Sequence, residues 1–307
     1  MLYLSEQDLN IKNIIKRIKE ILPDIIYLNS VFLYKFLFAS LLYSKQNNTK
    51  IILAPRGELC NNALKIKNKK KKAYIYILRL LQISNKIFWH ATSQEELDGI
   101  IKNLKVNKQN IYLVEVLPKR IDTQLTTINK KVNELKCVFI SRICEKKNLL
   151  SAIKYVKQAN NGVSLDIYGF KEDRNYWEKC EKEINNNSKI KYCGALEQEQ
   201  VITTFAKYQL FLFPTYSENY GHVIAEAMLV GCPVLISDQT PWNDVEDKNA
   251  GYVKKLGDTN GFINTLNKIS QMSNEEYQTL KINCSKYINE KINYQNIITN
   301  YKKMFEI

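Results

Sequence analysis

The sequence predicts an α/β protein with two domains, each built on a doubly wound parallel sheet. Short runs rich in Ile and Val alternate with amphipathic segments along the whole chain, which is the pattern of strands joined by helical crossovers. The 307 residues exceed what one ordinary hydrophobic core needs and fit two. In tandem domains of this kind, a ligand cleft is expected between the carboxyl ends of the two sheets.

In the first half of the chain, strands are predicted at 25–28, 51–54, 87–91 and 111–116. Helical patterns cover 73–82 and 95–104. Ser93, followed three residues later by Glu96, predicts a capping box at the start of the second helix. The polar stretch 119–136 has no clear period and is predicted to be the interdomain linker.

The alternation restarts in the second half, with strands predicted at 137–140, 164–168, 190–193, 210–213 and 233–236. These runs are apolar enough to be buried on both faces, as a parallel sheet between two layers of helices requires. We therefore predict a first domain over 1–130 and a second over 131–307, with the last helix packing back on the first domain.

Composition and charge exclude several classes of protein. Lys+Arg 45 against Asp+Glu 31 gives a net charge of +14, which favours anionic partners, but no recognised nucleic-acid motif accompanies the charge.

The seven cysteines form no Cys-x-x-Cys pair, which excludes a disulfide framework and predicts a reducing cytoplasm. The apolar stretch 31–43 is shorter than the roughly 20 residues of a membrane span, and the first ten residues do not resemble a signal peptide.

The segment FPTYSENYGHVIAE, residues 213–226, follows a predicted buried strand and opens a helix near Gly221. A helix start offers free N–H groups and a positive dipole end, which suit a phosphate. Glu226 shares a helix face with His222, and its carboxylate can accept hydrogen bonds from two hydroxyl groups of a ribose. The alternative is that Glu218 and Glu226 are ordinary helix acids, and spacing alone leaves both interpretations open.

The segment FISRICEKKNL, residues 139–149, again ends a strand, and its loop carries Arg142, Lys146 and Lys147. Cations at the carboxyl end of a parallel strand can neutralise a diphosphate, Arg as a planar fork and Lys as a point charge. A basic surface loop in a basic protein is the alternative.

These two segments and the sequel AMLVGCPVLISDQTPW resemble family 4 (group 1) glycosyltransferases, and the resemblance covers nearly the whole chain. APRGELCNNAL and WHATSQEE are similar to the N-terminal half of bacterial polysaccharide-assembly members. The resemblance implies a GT-B fold of two Rossmann-like domains. It also implies retaining, metal-independent sugar transfer from a UDP- or GDP-linked donor to a saccharide acceptor, in lipid-linked form, for capsule or O-antigen synthesis.

The resemblance also implies residue roles. Arg142 and Lys147 would hold the donor diphosphate, and Glu218 would contact the donor sugar; these three are the predicted catalytic residues. The predicted donor-binding residues are Tyr168 and Gly169 at the base, Glu226 at the ribose, and, near the sugar and phosphate, Asn219, Tyr220, Gly221 and His222.

The beginning of the chain departs from the family, because the opening β–α units and their Gly-rich loop are missing from the pattern. We therefore expect an incomplete N-terminal, acceptor-side domain with an exposed sheet edge or apolar face. The second hypothesis is a catalytically impaired relic that binds nucleotide sugars, or a partner subunit. The missing units favour the relic, and the presence of Arg142, Lys147, Glu218 and Glu226 favours the enzyme.

Three acceptor-side residues are proposed in the first domain: Arg56, Glu58 and His90. For Arg56 and Glu58, a structural turn built around Pro55 and Gly57 is an equal alternative. For His90, packing at the entry to a helix is the favoured interpretation.

The run from Lys65 to Lys72 precedes the apolar AYIYILRLLQI. Such a segment predicts peripheral contact with an anionic membrane, at the inner face of the plasma membrane. The alternative is a solvated helix face whose apolar side belongs to the core.

Overall fold

The computed structural model describes residues 9–60, 64, 68–117 and 128–306. The chain divides into two compact units, one of Met1–Leu117 with Tyr294–Ile307 and one of Pro118–Asn293. The division falls at 117/118, whereas the sequence placed it at 130/131. The first half of the predicted linker, 119–127, lies outside the described residues. Its last residues belong to a strand of the second unit, where Leu135 is fully buried.

The first unit contains a four-stranded parallel sheet in the order β1-β2-β3-β4. Its described elements are α1 (Ile11–Ile21), β1 (Ile25–Asn29), α2 (Tyr34–Asn47), β2 (Lys50–Ala54), α3 (Asn68–Leu80), β3 (Phe88–Ala91), α4 (Gln94–Leu104), β4 (Ile111–Leu113) and the last helix of the chain, α11 (Tyr294–Phe305). That helix covers one face of the sheet, where Met304 is buried with Ile52 and Val114.

The second unit contains a six-stranded parallel sheet in the order β10-β9-β8-β5-β6-β7. Its described elements are β5 (Leu135–Ile140), α5 (Leu149–Gln158), β6 (Val163–Tyr168), α6 (Arg174–Ile184), β7 (Ile190–Tyr192), α7 (Gln198–Phe205), β8 (Leu210–Phe213), α8 (His222–Leu229), β9 (Val234–Ser237), β10 (Gly251–Lys254), α9 (Thr259–Gln271) and α10 (Asn274–Lys291). The chain winds outward from β5 to β7 and then returns to β8 beside β5. The residues that follow these two strands, 141–148 (the β5 loop) and 214–221 (the β8 loop), therefore leave the sheet side by side, at the switch point where open α/β sheets bind ligands.

Continuous apolar sequence explains why the strands of the second sheet were predictable. All four residues of β8, LFLF, and of β9, VLIS, are buried, as strands covered on both faces must be. The strand β10 was not predicted because GYVK is only partly buried at the sheet edge. A Cβ atom at Gly251 would lie 2.8 Å from Val234 Cγ2, so glycine permits the close pairing of β10 with β9.

The basic run before the apolar segment is partly helical. Helix α3 begins at Asn68, five residues before the predicted start, because lysine is a good helix former. Lys69, Lys70 and Lys72 are exposed on it, and residues 65–67 lie outside the described part of the chain. None of the helices in the described ranges is long and apolar enough to cross a membrane.

Candidate functional site

The β5 and β8 loops are joined by hydrogen bonds at the switch point of the second sheet. Asn148 Nδ2 donates to the carbonyl oxygen of Pro214 at 2.8 Å, within the buried part of the site. The backbone N–H of Tyr216 donates to the carbonyl oxygen of Lys146 at 2.9 Å. These contacts fix the two loops to each other, so that side chains from both can act on one ligand.

Lys147 of the β5 loop and Glu218 of the β8 loop form an ion pair between Nζ and Oε1. Each side chain is only 11% exposed. Thr215 Oγ1 donates to the same carboxylate oxygen at 3.3 Å, and Lys147 Nζ lies 5.6 Å from the centre of the Phe213 ring. The pair neutralises two charges that would each be costly to bury alone. A ligand that offers an anion to Lys147 and hydroxyl groups to Glu218 can replace the contact between the two side chains.

Arg142, also on the β5 loop, lies in a different environment. Its Nη1 donates to Glu172 Oε2 at 2.7 Å, and the two side chains are 63% and 43% exposed. An ion pair this exposed contributes little to stability, so the guanidinium can leave Glu172 for a bound anion at small cost. The sequence grouped Arg142 with Lys147; in the structure Arg142 is exposed and Lys147 is buried.

Tyr168 and Gly169 lie at the carboxyl end of β6, beside the β5 loop. The Tyr168 hydroxyl donates to the hydroxyl oxygen of Tyr208 at 3.0 Å, since the Tyr208 hydroxyl itself donates to Asp166 Oδ2 at 2.7 Å. A Cβ atom at Gly169 would lie 1.8 Å from the carbonyl oxygen of Ser141. Only glycine therefore lets the chain after β6 approach the β5 loop so closely.

Phe170 follows these residues and is 68% exposed. The sequence reasoning missed it, because a single aromatic residue after a strand carries no periodic signal. An exposed ring at the carboxyl end of a strand offers a face on which a planar ligand group can stack.

The start of α8 is held by a hydrogen bond from Trp242, a second residue that the sequence reasoning missed. The indole N–H of this buried side chain donates to the carbonyl oxygen of Tyr220 at 2.5 Å. Gly221, the residue before the first helical turn, lies in the left-handed region at φ 77°. Glycine adopts this conformation readily because it lacks a Cβ atom. The backbone at the start of α8 is thereby held in one orientation.

The remaining predicted donor residues lie on the same stretch of chain. His222 is exposed and Glu226 half-buried, one turn apart on α8, and the rings of Tyr220 and His222 lie 4.9 Å apart. Asn219 precedes them in the β8 loop. All the predicted donor-side residues thus lie on three chain segments that leave the carboxyl edge of the second sheet.

In the first unit, His90 is fully buried. Its Nε2 lies 2.8 Å from the carbonyl oxygen of Val114 and must donate, so Nδ1 accepts from the Tyr27 hydroxyl at 2.6 Å. Burial lowers the pKa of His90, which favours the neutral ring. With both nitrogens occupied inside the unit, this location fits the packing interpretation and leaves no nitrogen free for an acceptor.

Of the other two proposed acceptor-side residues, Glu58 is bonded within the first unit and Arg56 is exposed. Both carboxylate oxygens of Glu58 accept hydrogen bonds at 2.7 Å, one from Ser30 Oγ and one from the backbone N–H of Val31. Glu58 therefore ties the chain after β2 to the chain after β1, which fits a structural turn. Arg56 is exposed at this edge of the sheet.

At the predicted capping box, the structure shows the bond to the Ser93 side chain, and the Glu96 side chain binds groups of two loops. Ser93 Oγ accepts from the backbone N–H of Glu96 at 3.2 Å, as expected. The Glu96 carboxylate is fully buried and accepts from the Gly57 N–H at 2.5 Å, the Thr92 N–H at 2.8 Å and the Thr92 hydroxyl at 2.7 Å. It therefore joins the loops after β2 and β3.

Comparison with known sequences finds relatives along the chain. The family described as "Glycosyl transferases group 1" matches residues 121–287. An uncharacterized 41.2 kDa protein in the cps region of Klebsiella pneumoniae is 24% identical over 308 residues, which cover 95% of this chain and 81% of that protein. The poly(glycerol-phosphate) alpha-glucosyltransferase of Bacillus subtilis is 34% identical over 133 residues, 39% of this chain and 18% of the relative.

Comparison with solved structures confirms the predicted fold class. Anabaena HepE, solved in complex with UDP and glucose, has a TM-score of 0.75 to this chain at 14% identity, over 96% of this chain and 81% of HepE. The family match over 121–287 takes in more than half of the chain, including the β5 and β8 loops. The chain therefore belongs to the group 1 glycosyltransferases.

Proposed function

We propose that this glycosyltransferase transfers a sugar from a UDP- or GDP-linked donor to a saccharide acceptor with retention, as family 4 members do. The observation that carries the proposal is the Lys147–Glu218 pair at the switch point, beside the first turn of α8. Cation, carboxylate and helix start are the groups that a sugar diphosphate needs. The binding of UDP and glucose by HepE supports the same assignment.

Breaking the bond between the sugar and the diphosphate places negative charge on the departing nucleotide. In our proposal, Lys147 and Arg142 stabilise that charge, while Glu218 orients the sugar hydroxyls, so that the chain's own cations act without a metal ion. The other donor contacts that we propose are Tyr168 and Gly169 at the base, Glu226 at the ribose, and, near the sugar and phosphate, Asn219, Tyr220, Gly221 and His222.

We assign the acceptor to lipid-linked saccharides of a surface polysaccharide such as capsule or O-antigen. The relative in the cps region of Klebsiella pneumoniae supports this assignment. A lipid-linked acceptor would place the enzyme in the cytoplasm, at the inner face of the plasma membrane.

Replacing Glu226 with alanine is expected to weaken nucleotide-sugar binding by about 10- to 100-fold, because two hydrogen bonds from ribose hydroxyls to a carboxylate are lost. Calorimetric titration with UDP, GDP and their glucose and mannose conjugates measures this and identifies the base. Glu199→Ala is the matched control, since Glu199 is an exposed acid in the first turn of α7. Equal affinity in both variants would show that Glu226 is an ordinary helix acid.

The same titration decides between the enzyme and the alternative. Saturable binding of one nucleotide, together with transfer to a saccharide, supports the proposal. Nucleotide binding without transfer would replace it with the impaired relic. Absence of nucleotide binding from a sample that is folded by circular dichroism would replace it with the partner-subunit hypothesis.

The outer face of α3 supports contact with an anionic membrane. Tyr76, Ile77 and Leu80 are 64%, 46% and 70% exposed and lie at helical spacing on one side. Lys69 and Lys70 are exposed about two to three turns before them. Apolar side chains that enter the bilayer interface, next to lysines that meet anionic headgroups, are the features of an interfacial helix.

We expect the protein to sediment with vesicles that contain phosphatidylglycerol and to remain in solution with phosphatidylcholine alone. Lys69→Gln with Lys70→Gln is expected to weaken binding by at least 10-fold, at about 1 kcal/mol for each lysine, and Leu80→Ser to weaken it as well. Lys179→Gln with Lys182→Gln, two exposed lysines of α6, is the charge-matched control. Equal losses in both double variants would reduce the contact to non-specific attraction.

A further inference from the structure

We infer that Arg56 and the cavity at the carboxyl end of β1 form a binding site for the phosphate of an amphiphilic acceptor, that is, a phosphate carried on an apolar chain. The inference rests on the proposed function, because it names the chemical class of the acceptor. It concerns the first unit alone and is separate from the donor residues.

The Arg56 guanidinium is held in place by neutral groups. Its Nε donates to Asn29 Oδ1 at 2.9 Å, and its Nη2 donates to the Tyr27 hydroxyl oxygen at 3.0 Å. Within the ranges that the structure describes, no carboxylate forms an ion pair with Arg56. The side chain is exposed, so its charge is positioned without being neutralised, and its planar fork suits a phosphate.

The Tyr27 hydroxyl, which accepts from Arg56, is itself held by a hydrogen bond to a buried residue. The Tyr27 hydroxyl donates to Nδ1 of the buried His90 at 2.6 Å, which leaves its oxygen to accept from Arg56. Burial raises the pKa of Tyr27 to about 12, so the phenol stays protonated and does not become a counterion. The buried histidine therefore acts as a support for an exposed cation.

The backbone around Arg56 is fixed as well. Arg56 lies in the left-handed region at φ 54°, which a residue with a side chain adopts only when its surroundings require it. The next residues meet those surroundings: the Gly57 N–H donates to the buried Glu96, and Glu58 accepts from the chain after β1. A cation held this firmly loses little conformational entropy when it binds an anion.

A cavity of about 260 Å³ lies next to this cation and is lined by Tyr27, Leu28, Asn29, Ser30, Leu33 and Phe36. Two of these residues, Tyr27 and Asn29, are the ones that hold Arg56. The other side of the cavity is apolar, and Leu33 at its margin is 52% exposed. A polar end beside Arg56 and an apolar end beside Leu33 match a phosphate attached to a hydrocarbon chain, as in a lipid-linked saccharide.

The test uses three soluble probes with the full chain: farnesyl diphosphate, pyrophosphate and farnesol, each below its aggregation limit. Hydrogen exchange by mass spectrometry locates binding, and UDP binding is measured in the same samples. We expect farnesyl diphosphate to protect residues 27–36 and 55–60, pyrophosphate to do so more weakly, and farnesol to have little effect. Arg56→Gln is expected to lower farnesyl diphosphate affinity by at least 10-fold, and Arg56→Lys by less.

Two further variants distinguish the site from general attraction. Arg79→Gln, an exposed arginine on α3, is expected to leave the affinity unchanged. Tyr27→Phe removes one of the two groups that hold the guanidinium and is expected to reduce the affinity less than Arg56→Gln does. Both variants are expected to bind UDP as the unmodified chain does.

The inference is overturned if farnesol protects these residues as well as farnesyl diphosphate does, if Arg56→Gln binds normally, or if protection is confined to α3. It is also overturned if UDP binds and farnesyl diphosphate does not. If farnesyl diphosphate binds through Arg56 and no nucleotide binds, the inferred site stands and the proposed donor function fails.

Discussion

Replacing Lys147 with methionine is expected to lower kcat by about 10²–10³-fold, the effect of removing one preorganised charge-stabilising donor. The ammonium lies in a site where the side chain is only 11% exposed, so its interaction with a departing diphosphate is weakly screened by water. Donor affinity is expected to fall less than kcat, because the charge on the nucleotide grows as the sugar bond breaks. Steady-state kinetics with the donor identified by calorimetry measures both quantities.

The control for this variant comes from the neighbouring residue. Lys146→Met removes an exposed cation from the same loop, and we expect it to change kcat by less than 10-fold. Lys147→Met also leaves Glu218 without its ion-pair partner, so circular dichroism and thermal unfolding of the variant check that the loss of kcat does not arise from local unfolding around an unpaired carboxylate. Equal decreases in kcat for Lys146→Met and Lys147→Met would contradict a specific role for the buried lysine.

The donor-side half of the site was predictable because its residues follow clear strands. Continuous apolar runs located the end of β8 at Phe213, and Gly221 marked the start of α8, as the structure has them. The contact between Lys147 and Glu218 was not predictable, because the residues are 71 positions apart. Their contact depends on β8 returning to the side of β5, and strand order is not contained in local periodicity.

In the first unit, local sequence patterns predicted the helices and strands but only part of what individual side chains do. Ser93 and Glu96 have the spacing of a capping box, and the helix does begin there. Spacing could not reveal that the Glu96 carboxylate meets Gly57, which is 39 residues away. His90 likewise stands at the end of a strand, where catalytic residues occur, yet its environment is set by Tyr27 and Val114 from two other parts of the sheet.

Replacing Glu96 with alanine is expected to destabilise the first unit by about 3 to 5 kcal/mol, because the buried Thr92 N–H and hydroxyl and the partly buried Gly57 N–H lose their acceptor. The side chain has no exposed surface, so water cannot take its place without opening the core. Glu96→Gln is expected to cost about 1 to 3 kcal/mol, since the amide has one acceptor oxygen where the carboxylate uses two.

Because the chain has two units, urea unfolding need not follow a single transition, and hydrogen exchange of the β2 and β3 amides reports on the first unit directly. Glu95→Gln is the control, since Glu95 is an exposed acid in the same helical turn and is expected to leave exchange unchanged. UDP binding in the second unit is expected to persist in all three variants. If Glu96→Ala exchanged no faster than Glu95→Gln, the carboxylate would not be what joins the two loops, and the fixed backbone around Arg56 would need another cause.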